Sequence, residues 1–208
     1  MRKILLFGSM FTILLSSCTP SLKYVYDLKK PVKSNNLEYS DEKIEASFIV
    51  NNADINLSIK NLTERPLKIV WDDCSFVKSG EAQKILHKNT KFIDKEKSQP
   101  ATTIPPNSLI KDIVQPIDDI ELTETITHNH RGRERHNLTW STTPFFPVPR
   151  RISSHKITVD KYYRPLIGKT LGVYLPIQYD SKTMEYFYEF ELTDIVLVKG
   201  KKQKRIFN

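Results

Sequence analysis

The sequence predicts an all-β protein, built as an antiparallel β-sandwich with one long inserted loop or hairpin. Three observations favour this fold class. Apolar and polar residues alternate over several short segments, which is typical of strands with one buried face. Turn residues separate these segments about every eight to twelve residues. The chain also lacks helical periods between the strand segments, which favours a sandwich over a parallel sheet.

The first seventeen residues have the three-part build of a secretory signal peptide. Arg2 and Lys3 give a positive start, and the apolar run that ends at Leu15 is too short to cross a bilayer of about 30 Å. The motif LSSC, which ends at Cys18, resembles the lipobox of bacterial lipoproteins. This resemblance implies that Cys18 is the mature N-terminus, carries covalent acyl chains and anchors the protein in the envelope. Thr19 favours the outer membrane, while an ordinary signal peptide followed by an incidental cysteine is the alternative.

Charge and cysteine content agree with an exported protein. The chain of 208 residues has a formal charge of +8, and losing Arg2 and Lys3 with the signal peptide leaves +6. An exported basic chain favours anionic envelope polymers or lipids over nucleic acid as partners, and solubility alone is the alternative. If Cys18 is lipidated, Cys74 has no partner within the chain, so no disulfide is predicted. We expect Cys74 to be a buried thiol rather than a nucleophile.

Residues 18–42 show no sustained period and predict a lysine-rich tether, in which Tyr24 to Tyr26 could form a short strand. The sandwich domain is then predicted over 43–198. Trp71 is expected to anchor the core from the third strand. Pro176 indicates an edge or a bulge. Strands are predicted at residues 44–50, 55–60, 67–71, 76–77, 83–88, 108–114, 171–177, 186–192 and 195–198.

Four stretches of this domain carry a resemblance to a known group of proteins. They are INLSIKNLTERPLKIVWDDCSFV, SGEAQKILHK, QPATTIPPNSLIKDIVQPIDDI and GVYLPIQYDSKTMEYFYEFEL. Together they resemble exported bacterial lipoproteins whose domain is immunoglobulin-like and similar in pattern to late-embryogenesis-abundant type-2 domains. The resemblance implies an immunoglobulin-like sandwich over roughly 43–198. It implies no reaction and no ligand.

Residues 121–163 depart from the strand pattern and predict an exposed loop or long hairpin inserted in the sandwich. Arg131, Arg133, Arg135 and Trp140 form the candidate site for an anion or a partner. Guanidinium groups bind phosphate or carboxylate, and an aromatic ring offers a stacking surface. The alternative is a solvated basic loop whose aromatic residues pack against the sandwich.

No catalytic residue, metal site or cofactor is predicted. His128 and His130 could share one strand face, but no carboxylate or cysteine at a defining spacing completes a metal site. The sequence contains no glycine-rich phosphate loop, no Gly-x-Ser-x-Gly elbow and no His-Glu-x-x-His pair. The adjacent aspartates at 72–73 and 118–119 fit turns better than acid–base pairs.

The sequence therefore predicts a lipid-anchored envelope protein that acts as a non-catalytic binding or assembly module. Its partners would be the membrane, through the anchor, and an envelope protein or anionic polymer, but not nucleic acid. Residues 199–208 are expected to form a basic tail. Two alternatives stay open: a structural accessory of a secretion or surface-appendage complex, and a hydrolase whose residues converge from distant loops.

Overall fold

A computed structural model describes residues 21–88, 90–128, 132–148, 161–199 and 202–205. The helical segments that it gives bounds for are single 3-10 turns at Trp71–Asp73, Phe92–Asp94, Ile117–Asp119 and Arg164–Leu166. Within these ranges no helix is long and apolar enough to cross a membrane. The strands are β1 (Ser21–Lys30), β2 (Glu38–Ser40), β3 (Ile44–Val50), β4 (Ile55–Asn61), β5 (Leu67–Ile69), β6 (Ser75–Lys78), β7 (Glu81–His87), β8 (Thr102–Ile104), β9 (Leu109–Pro116), β10 (Ile120–His128), β11 (Glu134–Thr142), β12 (Thr170–Tyr179), β13 (Lys182–Lys199) and β14 (Lys202–Arg205).

The predicted all-β antiparallel fold is confirmed. Strands follow the order β1-β13-β12-β6-β7-β9-β4-β3-β2, with β14 beside β13 and with β5 between β12 and β8. β7 connects the two halves of this sheet, because its first part pairs with β6 and its last part pairs with β9. The halves pack face to face, and Phe48 on β3 lies 4.6 Å from Tyr188 and 5.1 Å from Phe190 on β13, measured between ring centroids.

Alternation along each strand explains this packing. On β4, Ile55, Leu57 and Ile59 are buried, whereas Asn56 and Ser58 lie on the outer face. Burying one such aliphatic side chain contributes about 1.5–3 kcal/mol relative to leaving it exposed. A slip of the register by one residue would turn all three buried side chains to solvent, so the pattern also fixes the pairing.

Trp71 is buried as predicted, but it does not lie on a strand. β5 ends at Ile69, and Trp71 begins the 3-10 turn that follows. Its ring stacks on His87 at 4.6 Å between centroids, and its indole N–H donates to the Thr102 hydroxyl at 2.8 Å. The side chain therefore fills the core from a turn.

The tether predicted for residues 18–42 is wrong from Ser21 onward. β1 pairs with β13 along its length, and Leu22, Tyr24, Tyr26 and Leu28 are buried at alternate positions. Lysines that indicate a tether occupy outward-facing positions of this strand. Residues 18–20 lie outside the described ranges.

The predicted basic tail also contains a strand, because β14 pairs with the end of β13. The core of the described chain begins at Leu22 and ends at Val196. A chain that starts at residue 19 therefore retains every one of these core residues.

The insertion forms a long hairpin, which is one of the two forms that the sequence predicted. β10 and β11 make a separate two-stranded sheet outside the main one. Residues 149–160, the next part of the predicted insertion, lie outside the described ranges.

Candidate binding site on the inserted hairpin

The hairpin of β10 and β11, called the ribbon below, is paired in register from Ile120–Thr142 to His128–Glu134. Nine residues of extended strand give it a length of about 30 Å. Every side chain from Glu121 to His128 is exposed to solvent. Within the described part of the chain, the ribbon therefore presents two accessible faces and two edges that pair with no other strand.

The two faces of the ribbon differ in chemistry. One face carries Leu122, Ile126 and Leu138, which are 48%, 49% and 66% exposed, and we call it the apolar face. Side chains alternate between faces along a strand, so the residues between these belong to the opposite face. That opposite face is polar and includes Thr123, Thr125, Thr127, Asn137, Thr139 and Ser141.

Ionisable side chains on the apolar face contact one another. The Nδ1 atom of His136 lies 2.7 Å from a carboxylate oxygen of Glu124, and its Nε2 atom lies 3.7 Å from Glu134. The Nε2 atom of His128 lies 3.4 Å from the same Glu134 side chain. All four groups are about half exposed, so these pairs add little stability. Within the described residues, no three His, Cys, Asp or Glu side chains are grouped to hold a metal ion.

The base of the ribbon is attached to the sandwich by apolar packing and hydrogen bonds. Trp140 packs edge-to-face on Phe92 at 5.8 Å between ring centroids. Ile120 is buried with neighbouring apolar residues in the same small cluster. The Lys95 ammonium donates to the carbonyl oxygens of Ile117 and Ile120 at 3.2 and 2.8 Å. Trp140 therefore holds the base of the ribbon.

The structure does not bring the predicted site residues together. Arg135 lies opposite Thr127 on the polar face, whereas Trp140 belongs to the other face and is five residues away. Five residues of strand span about 17 Å. Arg133 is exposed just before β11. Arg131 and Cys18 lie outside the described residues.

Sequence reasoning missed the apolar face. A signal was present, because Ile120, Leu122 and Ile126 occupy alternate positions of the segment IELTETITH. Glu124 interrupts this alternate set of apolar residues, and threonine or glutamate occupies the positions between its members, so the period is hard to recognise. The departure from the strand pattern that the sequence indicates for residues 121–163 is therefore wrong for β10 and β11.

The ribbon is based next to the start of β1. After β11 the chain crosses the end of the sandwich, where the Thr143 N–H donates to the Asp119 carbonyl at 2.7 Å. Phe146 then packs edge-to-face on Tyr24 of β1 at 5.9 Å, and the Tyr24 hydroxyl donates to the Pro147 carbonyl. The ribbon base and the first strand therefore occupy the same end of the domain.

The basic strand β14 belongs to this end as well. Val198 of β13 pairs with Ser21 on one side and with Gln203 on the other. Two strand spacings of about 4.8 Å therefore separate the first described residue from β14. Three of the four residues of β14 are basic: Lys202, Lys204 and Arg205.

A second constellation that the sequence prediction missed lies inside the sandwich. His87 and Asp112 are 2% and 4% exposed, and the His87 Nδ1 atom lies 3.3 Å from the Asp112 carboxylate. That carboxylate also accepts the N–H groups of Lys88 and Ile113 at 3.1 and 2.7 Å. The pair joins β7 to β9. The His87 Nε2 atom is buried without a hydrogen-bond partner among the described residues, so no nucleophile completes a triad there.

Cys74 is a buried thiol, as the sequence predicted. It is 2% exposed, and burial raises the pKa of its thiol to about 12. Neighbouring Asp73 and Asp72 act in the same direction. A thiol in this state is a poor nucleophile at neutral pH because little thiolate forms.

An open depression of about 610 Å³ lies on the outer face of β3, β4 and β9. Its lining includes the exposed side chains of Ile49, Leu109 and Ile113, together with Lys111. The neighbouring Lys88 ammonium donates to the Lys111 carbonyl, which occupies one of its protons. Asp112, the acidic residue of its lining, is buried and accepts hydrogen bonds from the backbone N–H groups of Lys88 and Ile113.

Comparisons of the chain with models of protein families, with curated proteins and with solved structures find no match. The site is therefore interpreted from its own chemistry. Two features distinguish it from the rest of the described surface: an apolar face on a projecting ribbon, and a position beside the first strand of the domain.

Proposed function

We propose that this protein is a lipid-anchored module of the bacterial envelope that binds a partner without catalysis, using the apolar face of the ribbon. The exposure of Leu122, Ile126 and Leu138 carries the proposal. An isolated two-stranded hairpin is marginally stable in water. Aligned exposed apolar residues are typical of interaction surfaces. A partner that covers this face would both bury the apolar side chains and stabilise the ribbon.

The proposed anchor is the lipobox cysteine, Cys18. β1 begins at Ser21, three residues after it, so the acyl chains would leave the domain at the end where the ribbon is based. Each buried methylene of an acyl chain contributes about 0.8 kcal/mol, and two or more chains hold a protein stably at a membrane. The proposed location is the outer membrane, because Thr19 follows the cysteine.

Two observations favour binding over hydrolysis. The His87–Asp112 pair is buried and its carboxylate accepts backbone N–H groups, which is a structural arrangement. The thiol of Cys74 has a pKa raised to about 12 by burial. A structural role in a larger envelope complex would use the same apolar face, so the test below applies to that role too.

The proposal is tested by photo-crosslinking in intact cells. A photo-reactive amino acid replaces Leu138 on the ribbon or, as a matched control, Val32, which is 62% exposed just past the end of β1 that lies away from Ser21. Each is made in the native background and in Cys18→Ala. We expect an adduct at position 138 and none at position 32. We also expect palmitate labelling and the adduct to be lost in Cys18→Ala.

Two results would contradict the proposal separately. Equal crosslinking at positions 138 and 32 would remove the ribbon as the binding surface. Unchanged palmitate labelling and membrane partition in Cys18→Ala would remove the anchor, and a Cys74→Ala variant that keeps its label serves as the control for that arm.

A further inference from the structure

We infer that the apolar face of the ribbon docks on the surface of the bilayer that holds the lipid anchor. This inference rests on the proposed function and names the partner of its binding surface. Three observations select a lipid surface over a second protein: the reach of the anchor, the small area of the face, and the charge beside it.

The reach of the anchor places the ribbon at the membrane. Ser21 is the third residue after Cys18, and an extended chain spans at most about 10 Å over that distance. Tyr24, only three residues further along, already contacts Phe146 and Pro147 from the segment that leaves the ribbon. The base of the ribbon therefore lies close to the lipid surface, and a ribbon about 30 Å long is well within reach of it.

The area of the apolar face is too small for a stable protein interface. A two-stranded ribbon about 30 Å long and 10 Å wide offers on the order of 300 Å² on one face. Specific complexes bury about 800 Å² on each partner. A contact of this size becomes effective when the partner is already tethered nearby, because tethering makes the second contact intramolecular. The acyl chains on Cys18 would supply that tether.

The charge at this end of the domain complements an anionic surface. Lys23 is exposed on β1. β14, with three basic residues out of four, lies two strand spacings from Ser21. Each basic residue close to an anionic membrane surface contributes about 1 kcal/mol. The carboxylates of Glu124 and Glu134 on the apolar face each lie within 4 Å of an imidazole nitrogen of His136.

The ribbon binds shallowly in this arrangement. Among the residues that the structure describes, β10 and β11 pair only with each other, so the backbone N–H and C=O groups on their outer edges have no strand partner there. Such groups cannot enter the hydrocarbon region without a large cost. The apolar face therefore reaches only the boundary between headgroups and acyl chains, with the side chains of Leu122, Ile126 and Leu138. The opposite, polar face stays in water.

The experiment uses the chain from residue 19 onward, which retains every described core residue, with a hexahistidine tag in place of the preceding residues. Vesicles of phosphatidylcholine and phosphatidylglycerol that contain a nickel-chelating lipid hold the tag, so anchoring does not depend on natural lipidation. Single cysteines made by Ile126→Cys and Leu138→Cys carry the fluorophore NBD. Cys74 stays unlabelled because it is buried. Thr125→Cys, on the opposite face, and Val32→Cys are the matched controls, because Val32 is exposed just past the end of β1 that lies away from Ser21.

We expect a blue shift of the NBD emission at positions 126 and 138 on vesicle binding, and a loss of emission when the vesicles contain doxyl-labelled lipid. Positions 125 and 32 should show neither change. Equal quenching at 125 and 126, or none at 126 and 138, overturns the inference. A protein adduct instead of a lipid adduct at position 138 in cells would also overturn it, while leaving the proposed binding function intact. Palmitate labelling tests the natural anchor in a separate measurement, so failure of the anchor is distinguished from failure of ribbon docking.

Discussion

β4 in the sandwich and β10 in the ribbon carry the same kind of alternation but end in opposite environments. On β4, Ile55, Leu57 and Ile59 are fully or almost fully buried. On β10, Leu122 and Ile126 are about half exposed. A facing sheet covers the first set, and no facing sheet is present in the described chain for the second. Alternation therefore defines which face of a strand is apolar, but it does not define what covers that face.

The same contrast applies to two His–carboxylate pairs. In the sandwich, His87 and Asp112 lie 3.3 Å apart with side chains 1% and 3% exposed. In the ribbon, His136 and Glu124 lie 2.7 Å apart with side chains 54% and 51% exposed. Water screens the exposed pair, so the shorter contact adds little stability, whereas removing one partner of the buried pair would leave a buried polar group unsatisfied at a cost of about 1–3 kcal/mol. Environment, more than distance, decides the contribution of each pair.

The largest expected difference between the two regions concerns their tryptophans. Trp71→Ala should lower the free energy of unfolding by about 3–5 kcal/mol, because it empties a fully buried site and orphans the Thr102 hydroxyl. Trp140→Ala should cost about 1 kcal/mol, since it removes one edge-to-face pair with Phe92 at a half-buried site. Urea unfolding of the chain from residue 19 measures both. Equal losses would mean that the ribbon base belongs to the main core.

A smaller effect is expected on acidification, and it concerns the sandwich alone. Partial burial raises the pKa of the Asp41 carboxyl. Hydrogen bonds from the backbone N–H groups of Ile44 and Lys43, and from the hydroxyls of Tyr186 and Tyr39, lower this pKa by a larger amount. The net pKa of Asp41 therefore lies below the ordinary value. A carboxyl with a lowered pKa stabilises the folded state above its unfolded pKa of about 3.9, and that stability is lost as the pH falls through the folded value.

Asp41→Asn should therefore destabilise the protein at neutral pH, and the difference from the native chain should shrink as the pH falls below about 3.9. Urea unfolding at a series of pH values measures this dependence. Tyr186→Phe, which removes one of the donors to Asp41, should show part of the same effect. A difference that stays constant with pH would show that the hydrogen bonds do not distinguish the charged carboxylate from the neutral group.

The smallest effect is expected on the ribbon face. Leu122→Ser combined with Leu138→Ser should change the free energy of unfolding by less than about 0.5 kcal/mol, because the two side chains are already 48% and 66% exposed. Leu57→Ser, at an equivalent alternate position of β4, is the matched control and should be strongly destabilising. A loss in the ribbon variant comparable with that of Trp140→Ala would show that the apolar face is already covered within the chain.

The fold class and most strands were predictable because alternation and turn residues are local signals. The hairpin of β6 and β7, which turns at Ser79 and Gly80 with both φ angles positive, is one example. β1 was not recognised, because exposed lysines at its outward positions, Lys23 and Lys29, give the segment the composition of a flexible linker. Its burial depends on β13, which is more than 150 residues away in the chain.

The candidate site was predictable in location but not in its residues. The unusual composition between 121 and 163 correctly marked an inserted hairpin. The face that each residue occupies depends on strand register, and register separates Arg135 from Trp140. The His87–Asp112 contact joins residues 25 positions apart, so neither residue alone could reveal it. Asp112 shares its parity on β9 with the buried Val114, and a charged residue at an inward position requires a partner.

The pairing of β1 with β13 has a mechanical consequence. A force applied at Ser21 along the strand, as a membrane would apply it through a lipid, acts parallel to β1 from one end. In an antiparallel pair the hydrogen bonds run perpendicular to the strands. The force therefore shears all bonds from Ser21 to Lys30 together instead of peeling them apart one after another. The first strand of the domain is thus oriented to resist extraction by traction on the N-terminus.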